Sequence, residues 1–173
     1  AVRALGAAAK VNPPLRGSED VRALRDAVRD GTIDAFASDH APHTVAEKRA
    51  PLGEAAVGFS ALEIAVGAYA AAIGELPLLR FVALLSTNPA RILGVPGGTL
   101  AVGSPADVTI FADRRWQVDA SAFASKGKVT PFDGRVLPRQ VLATIVGGEV
   151  AFAQEALRGD GDRIRQAKAL DGG

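Results

Sequence analysis

The sequence predicts an α/β fold with a small all-β region attached on its C-terminal side. Three observations carry that expectation. A loop, an amphipathic helix and an apolar run of strand length follow one another over residues 12–38, which is the rhythm of an α/β unit. The run Ile33-Asp34-Ala35-Phe36-Ala37 is nearly continuous in apolarity, as in a strand buried on both faces of a parallel sheet. From Val95 onward, glycines and prolines punctuate short β-type segments instead.

Residues 2–9 are alanine-rich and suit a helix end. Asn12-Pro13-Pro14-Leu15 follows, where the prolines hold Asn12 out of the helical region. Ser18 is placed to cap the next helix, with Glu19 and Asp20 in its first turn. Val21, Leu24, Ala27 and Val28 give this helix one apolar face, and Gly31 stops it. The strand is expected over Thr32 to Ser38. Residues 44–53 read as a polar connection. Apolar helices are expected from about Phe59 to Ala72 and from about Leu78 to Leu85. A short helix capped at Asn88, with Pro89 in its first position, ends at Gly94. Strands are expected at 106–111, 116–118, 140–146 and 149–152, the last two joined by Gly147-Gly148, a two-residue hairpin signal. Residues 154–173 read as a charged tail.

The chemistry-bearing stretch is Ser38-Asp39-His40-Ala41-Pro42-His43, which holds the protein's two histidines. Pro42 excludes an ordinary helix, so Asp39, His40 and His43 belong to a loop at the C-terminal end of the strand. In α/β sheets and barrels that end is where ligands bind. A carboxylate with imidazoles suits zinc and similar ions, although three groups this close in sequence do not complete a site. The plainer reading is a turn in which Asp39 and His43 cap the next segment. Asn12 offers the donor and acceptor that fit an amide or imide edge, or simply opens a proline turn. Leu52 and Gly53 make a turn, with Gly53 also able to let backbone approach a ligand. Glu63, inside an apolar segment, reads as a paired structural acid, and Trp116 as core or interface packing.

A net charge of +1 with no dense basic block excludes a nucleic-acid or polyanion partner. The absence of cysteine excludes disulfides and thiolate metal sites, and fits a cytoplasmic protein. The most apolar stretch, Val57 to Leu85, is interrupted by Glu63, Gly67, Gly74, Glu75, Pro77 and Arg80, so no membrane span is expected. The chain shows no secretory signal pattern. It has no methionine and opens like the interior of a protein, which points to a C-terminal piece of something longer.

Taken together, Lys-Val-Asn-Pro-Pro-Leu-Arg at 10–16, Asp-Gly-Thr-Ile-Asp at 30–34 and Ser-Asp-His-Ala-Pro-His at 38–43 resemble the dihydroorotases of the amidohydrolase superfamily. So do Ser-Thr-Asn-Pro-Ala-Arg-Ile-Leu-Gly at 86–94, Gly-Ser-Pro-Ala-Asp-Val at 103–108 and Ser-Lys-Gly-Lys-Val-Thr-Pro-Phe at 125–132. The resemblance implies the C-terminal part of a metal-dependent-hydrolase (β/α)8 barrel plus part of a small β-sandwich domain. Residues 1–94 would be the last βα units and 95–153 the C-terminal strands of the small domain. It implies reversible hydrolysis of dihydroorotate to N-carbamoyl-L-aspartate in pyrimidine synthesis, with zinc. Asp39 would bind the metal and act as general base, carrying a proton to the departing ring nitrogen. Asn12 would contact the ring, His43 the substrate carboxylate, and Leu52 and Gly53 the ring edge through their backbone. Hydrogen-bond support of the site is left for His40.

The family's other metal ligands precede the region seen here, and a complete barrel takes about 250 residues. The expected partners are therefore the N-terminal half of the barrel, further copies in a homo-oligomer, and an aspartate transcarbamoylase; the isolated piece is expected to be inactive. The alternatives are an allantoinase or hydantoinase, or an inactive dihydroorotase-like subunit that only supports the transcarbamoylase.

Overall fold

In a computed structural model of the protein, residues 2–155 and 157 are described. The expected tail over 154–173 otherwise lies outside the described residues. Helices occupy the first half and antiparallel strands the second, so the chain is mixed α/β.

Helix α1 (Val2–Leu5) runs into a 3-10 turn at Gly6–Ala9. Helix α2 (Ser18–Asp30) begins at the expected cap residue itself, with the N-cap one position earlier: Gly17, whose amide donates to Asp20 Oδ2 at 3.1 Å. Gly31 ends the helix at φ 96°, where a side chain would be strained. The apolar face is only partly covered. Val28 is buried with Ile73 and Leu84, whereas Leu24 is 57% exposed.

Helices α3 (Val45–Arg49), α4 (Ala65–Ile73), α5 (Leu78–Leu85) and α6 (Thr87–Leu93) follow. The helix expected from Phe59 starts later, because Phe59, Ser60 and Ala61 are spent on contacts with other loops before a 3-10 turn at Leu62–Ile64 leads into α4. Helix α5 spans the expected residues, and Gly94 closes α6 in the left-handed region. Gly67 allows α4 to lie against the following β region: a Cβ there would stand 2.8 Å from the Pro138 carbonyl oxygen.

The expected strand over 32–38 is a correction. The segment has no regular secondary structure and pairs with no strand among the described residues, and its residues are half-buried or exposed rather than covered on both faces. Ladder partners are replaced by helix groups. Phe36 N donates to the Leu84 carbonyl (3.0 Å), while Arg80 and the Asn88 amide cap the carbonyls of Ile33 (3.1 Å) and Asp34 (2.9 Å). Phe36 also stacks on Tyr69, with centroids 4.6 Å apart. The segment is thus fixed from one side.

Strands β1 (Val108–Ala112), β4 (Gln140–Val146) and β5 (Glu149–Ala153) form an antiparallel sheet in the order β1-β4-β5. Gly147 and Gly148 both have positive φ, as the two-residue β4–β5 turn requires. Strand β2 (Trp116–Gln117) pairs with β3 (Val136–Leu137), which the sequence did not announce. Around this pair Ile64, Val118, Ala120, Phe123 and Leu137 form a second core, with Trp116 and Phe132 packed on it. Phe152, by contrast, is exposed.

Candidate active site

Asp39 sits at φ 43°, a left-handed conformation rare outside glycine but tolerated by aspartate. Its side chain is exposed, and its carboxylate has no hydrogen-bond or ion-pair partner among the described residues. His40, Ala41 and His43 after it are held.

The next residue, His40, accepts at Nδ1 from the amides of Ala61 (3.1 Å) and Leu62 (3.0 Å), so that nitrogen carries no proton. Its Nε2 lies 3.2 Å from Ser125 Oγ. The Ser125 hydroxyl donates to Glu63 Oε1 at 2.6 Å, and the Ser125 amide donates to the same oxygen at 2.9 Å. With the serine proton committed to glutamate, His40 Nε2–H must donate to Ser125 Oγ. Burial works against charge on Glu63, but the Ser125 bonds outweigh it and hold the carboxyl below the usual glutamate pKa. Glu63 is thus the paired structural acid expected of it, although its Oε2 is buried without a partner among the described residues.

Ala41 N donates to the Phe59 carbonyl (3.2 Å), and a Cβ on Gly58 would meet the Ala41 Cβ at 2.5 Å. His43 Nε2 donates to the Val57 carbonyl at 3.0 Å, and its Nδ1 is 3.7 Å from Glu47. The cap of α3 is Thr44, which exchanges hydrogen bonds with Glu47, not Asp39 or His43 as the plainer sequence reading had it.

The loop carrying Leu52 and Gly53 is tied down by two lysines. Lys10 Nζ donates to the carbonyls of Gly53 (3.1 Å) and Ala55 (2.7 Å). Lys48, only 5% exposed, donates to those of Ala56 (2.8 Å), Gly58 (2.7 Å) and Lys10 (3.4 Å). Its three protons thus meet three carbonyls. Burial, and after it the neighbouring Lys10 charge, lowers the Lys48 pKa. Since Gly58 N also donates to the Lys10 carbonyl, the Asn12 loop, the 51–58 loop and the Asp39–His43 loop meet at one place. Asn12, Leu52 and Gly53 are exposed there, and the Asn12 amide has no partner among the described residues. Sequence reasoning missed Lys10, Lys48 and Ser125, whose partners lie at least eight positions away along the chain and as far as 85.

The described residues do not by themselves fit a zinc centre. No group of three or more His, Asp or Glu side chains is disposed to hold a metal among them, and His40 has both ring nitrogens engaged. The group on the Asp39–His43 loop that is free to meet a metal is the Asp39 carboxylate. Of two clefts, one of about 610 Å³ lies beside Arg139 and Pro77, and one of about 380 Å³ lies between Lys48 and the Lys128–Thr130 segment. No described helix is long and apolar enough to cross a membrane.

The family model named Amidohydrolase family matches residues 6–151. Over 153 residues the chain is 48% identical to a dihydroorotase of Pelotomaculum thermopropionicum, covering 86% of this chain and 36% of that protein. It is 45% identical to a dihydroorotase of Anaeromyxobacter dehalogenans, covering 84% of this chain and 34% of the relative. Among solved structures it is similar to an L-hydantoinase (dihydropyrimidinase) from Arthrobacter aurescens, with 33% identity and a TM-score of 0.76 over 88% of this chain and 36% of the other. The chain spans about a third of the length of the relatives it matches.

Proposed function

The chain belongs to the amidohydrolase family, and from that membership we propose that it forms part of a cyclic-amide hydrolase that interconverts dihydroorotate and N-carbamoyl-L-aspartate in the cytoplasm. The observation that carries the reading is the Asp39 carboxylate, free and exposed on a loop whose His40, Ala41 and His43 are anchored. In this reading Asp39 is the general base. Water adds to the ring carbonyl carbon, Asp39 takes the water proton, the C–N bond breaks, and the same proton passes to the departing nitrogen. Asn12 and the Leu52-Gly53 backbone hold the ring edge, and His43 meets the substrate carboxylate.

Zinc enters this reading only through Asp39, with its remaining ligands outside the described residues. In this reading residues 95–153 are the C-terminal strands of the small β-sandwich domain, and the rest of that domain and of the barrel belongs to the roughly two-thirds of the relatives' length that this chain does not span. Homo-oligomerisation and association with an aspartate transcarbamoylase belong to the same proposal.

The test is a hybrid in which residues 6–151 replace the matching segment of the Pelotomaculum dihydroorotase, offered dihydroorotate, hydantoin and allantoin. Turnover of dihydroorotate above the other two is expected. A folded hybrid that prefers hydantoin would move the assignment to the second reading, a hydantoinase, which the likeness to the Arthrobacter enzyme favours.

A further inference from the structure

Asp39 occupies a backbone conformation that persists only where its surroundings impose it, since a non-glycine residue at positive φ costs of the order of 1 kcal/mol or more. The residues that follow it are fixed atom by atom. The His40 ring is fixed at one edge by the Ala61 and Leu62 amides and at the other by Ser125, 85 positions away in the chain. Ser125 is fixed in turn by two bonds to one oxygen of Glu63. Two residues further on, Gly127 lies directly against the His43 backbone, and its carbonyl accepts a hydrogen bond from the buried Ser60 hydroxyl. The 125–129 segment therefore closes over the Asp39–His43 loop and is latched at both ends.

The direction of every hydrogen bond in the chain His40–Ser125–Glu63 is determined. Glu63 only accepts, the single Ser125 proton goes to it, and His40 must then be a donor at Nε2 and an acceptor at Nδ1. The other neutral tautomer would oppose two N–H donors to an N–H and leave Ser125 Oγ without its donor. We infer that His40 is a positioning residue, held as the Nε2–H tautomer by Ser125 and Glu63, and that this relay sets the angle at which Asp39 faces the substrate. The inference rests on the dihydroorotase reading for the identity of that substrate, not for the relay. Among the described residues the Asp39 carboxylate makes no bond of its own that would orient it.

Two measurements test this. The first uses the chain itself: with two histidines in the protein, long-range proton–nitrogen spectra separate their ring nitrogens. The His40 ring is expected as one tautomer, protonated at Nε2, and Ser125→Ala is expected to release it to exchange between forms. A wild-type ring protonated at Nδ1 or averaged between tautomers would overturn the inference.

The second uses the hybrid described above. Ser125→Ala and His40→Asn, which keeps an acceptor for the Ala61 and Leu62 amides, should each lower kcat about tenfold, in line with the steep cost of small misplacements of a reacting group, with KM within about twofold. Glu63→Gln, which still accepts from Ser125, should recover most of the kcat lost in Glu63→Ala. Unchanged kcat in Ser125→Ala, or equal losses in Glu63→Gln and Glu63→Ala, would overturn the inference. A wild-type hybrid that folds but turns over no dihydroorotate defeats the functional reading alone; the imidazole spectra then decide the relay.

Discussion

Gly127 lies so close under His43 that a Cβ on it would stand 2.7 Å from both the amide nitrogen and the carbonyl oxygen of His43. No rotamer change relieves such a clash, because the obstructing atoms are backbone. Gly127→Ala must therefore push the 125–129 segment away from the loop or distort the loop itself. A loss of about 1–3 kcal/mol is expected, the usual cost of overpacking a filled site. Chemical denaturation of the variant against the wild type measures it, and a change below about 0.5 kcal/mol would mean that the two segments are not in contact in solution.

Lys48 shows how a loop without secondary structure is given one conformation. Its ammonium satisfies the carbonyls of Ala56, Gly58 and Lys10 from inside the structure. Lys48→Met preserves most of the side chain's volume but leaves the Ala56 and Gly58 carbonyls without their lysine donor, so a loss of about 1–3 kcal/mol is expected. Lys48→Arg should not restore stability, since a planar fork does not match three convergent carbonyls. Equal stabilities of wild type and Lys48→Met in thermal unfolding would contradict the hydrogen bonds described.

The acid limb of the stability curve should carry the mark of Glu63. Its folded pKa lies below the ordinary glutamate value of 4.5, with burial opposing the charge and the Ser125 bonds prevailing. Between the folded and unfolded values the unfolded chain binds more protons, so stability rises with pH there. The contribution is fully present above about pH 4.5 and is lost as pH falls through the folded value. Glu63→Gln should flatten this part of the profile. A variant whose acid unfolding runs parallel to the wild type from neutrality downward would remove Glu63 from the account.

How much of this was legible in the sequence depends on how local the signal was. Helix α5, the Gly94 stop of α6 and the Gly147-Gly148 hairpin were read correctly because propensity, capping and turn chemistry act over a few neighbouring residues. The apolar run Ile33–Ala37 looked like a buried strand, yet a strand also needs neighbours, and here Leu84, Arg80 and Asn88 stand in for them. The short strand β3 went unseen because only its pairing with Trp116 and Gln117 defines it. At the site, Asp39 and His43 stood out by residue type and position. Ser125 and Lys48 are ordinary residues in ordinary surroundings along the chain, and only the fold gives them partners. The positive φ at Asp39 had no sequence signal beyond aspartate's tolerance of that region.

That conformation gives the sharpest test of the site, because it separates what the backbone prefers from what the carboxylate does. Asp39→Gly removes both the strain and the side chain. Stability should be unchanged or higher by up to about 1 kcal/mol, since glycine accepts positive φ at little cost but loses more chain entropy on folding. Asp39→Asn keeps shape and tolerates the same backbone region, so its stability should match the wild type within about 0.5 kcal/mol. In the hybrid enzyme both variants should nonetheless lose essentially all turnover of dihydroorotate, because neither supplies a group that takes a proton at neutral pH and returns it to the departing nitrogen. A residue selected for structure would behave the opposite way, with stability falling and activity following it. If Asp39→Asn retained appreciable kcat while remaining folded, the general base would have to be sought among other side chains, and the free carboxylate at the end of this loop would be left without a task.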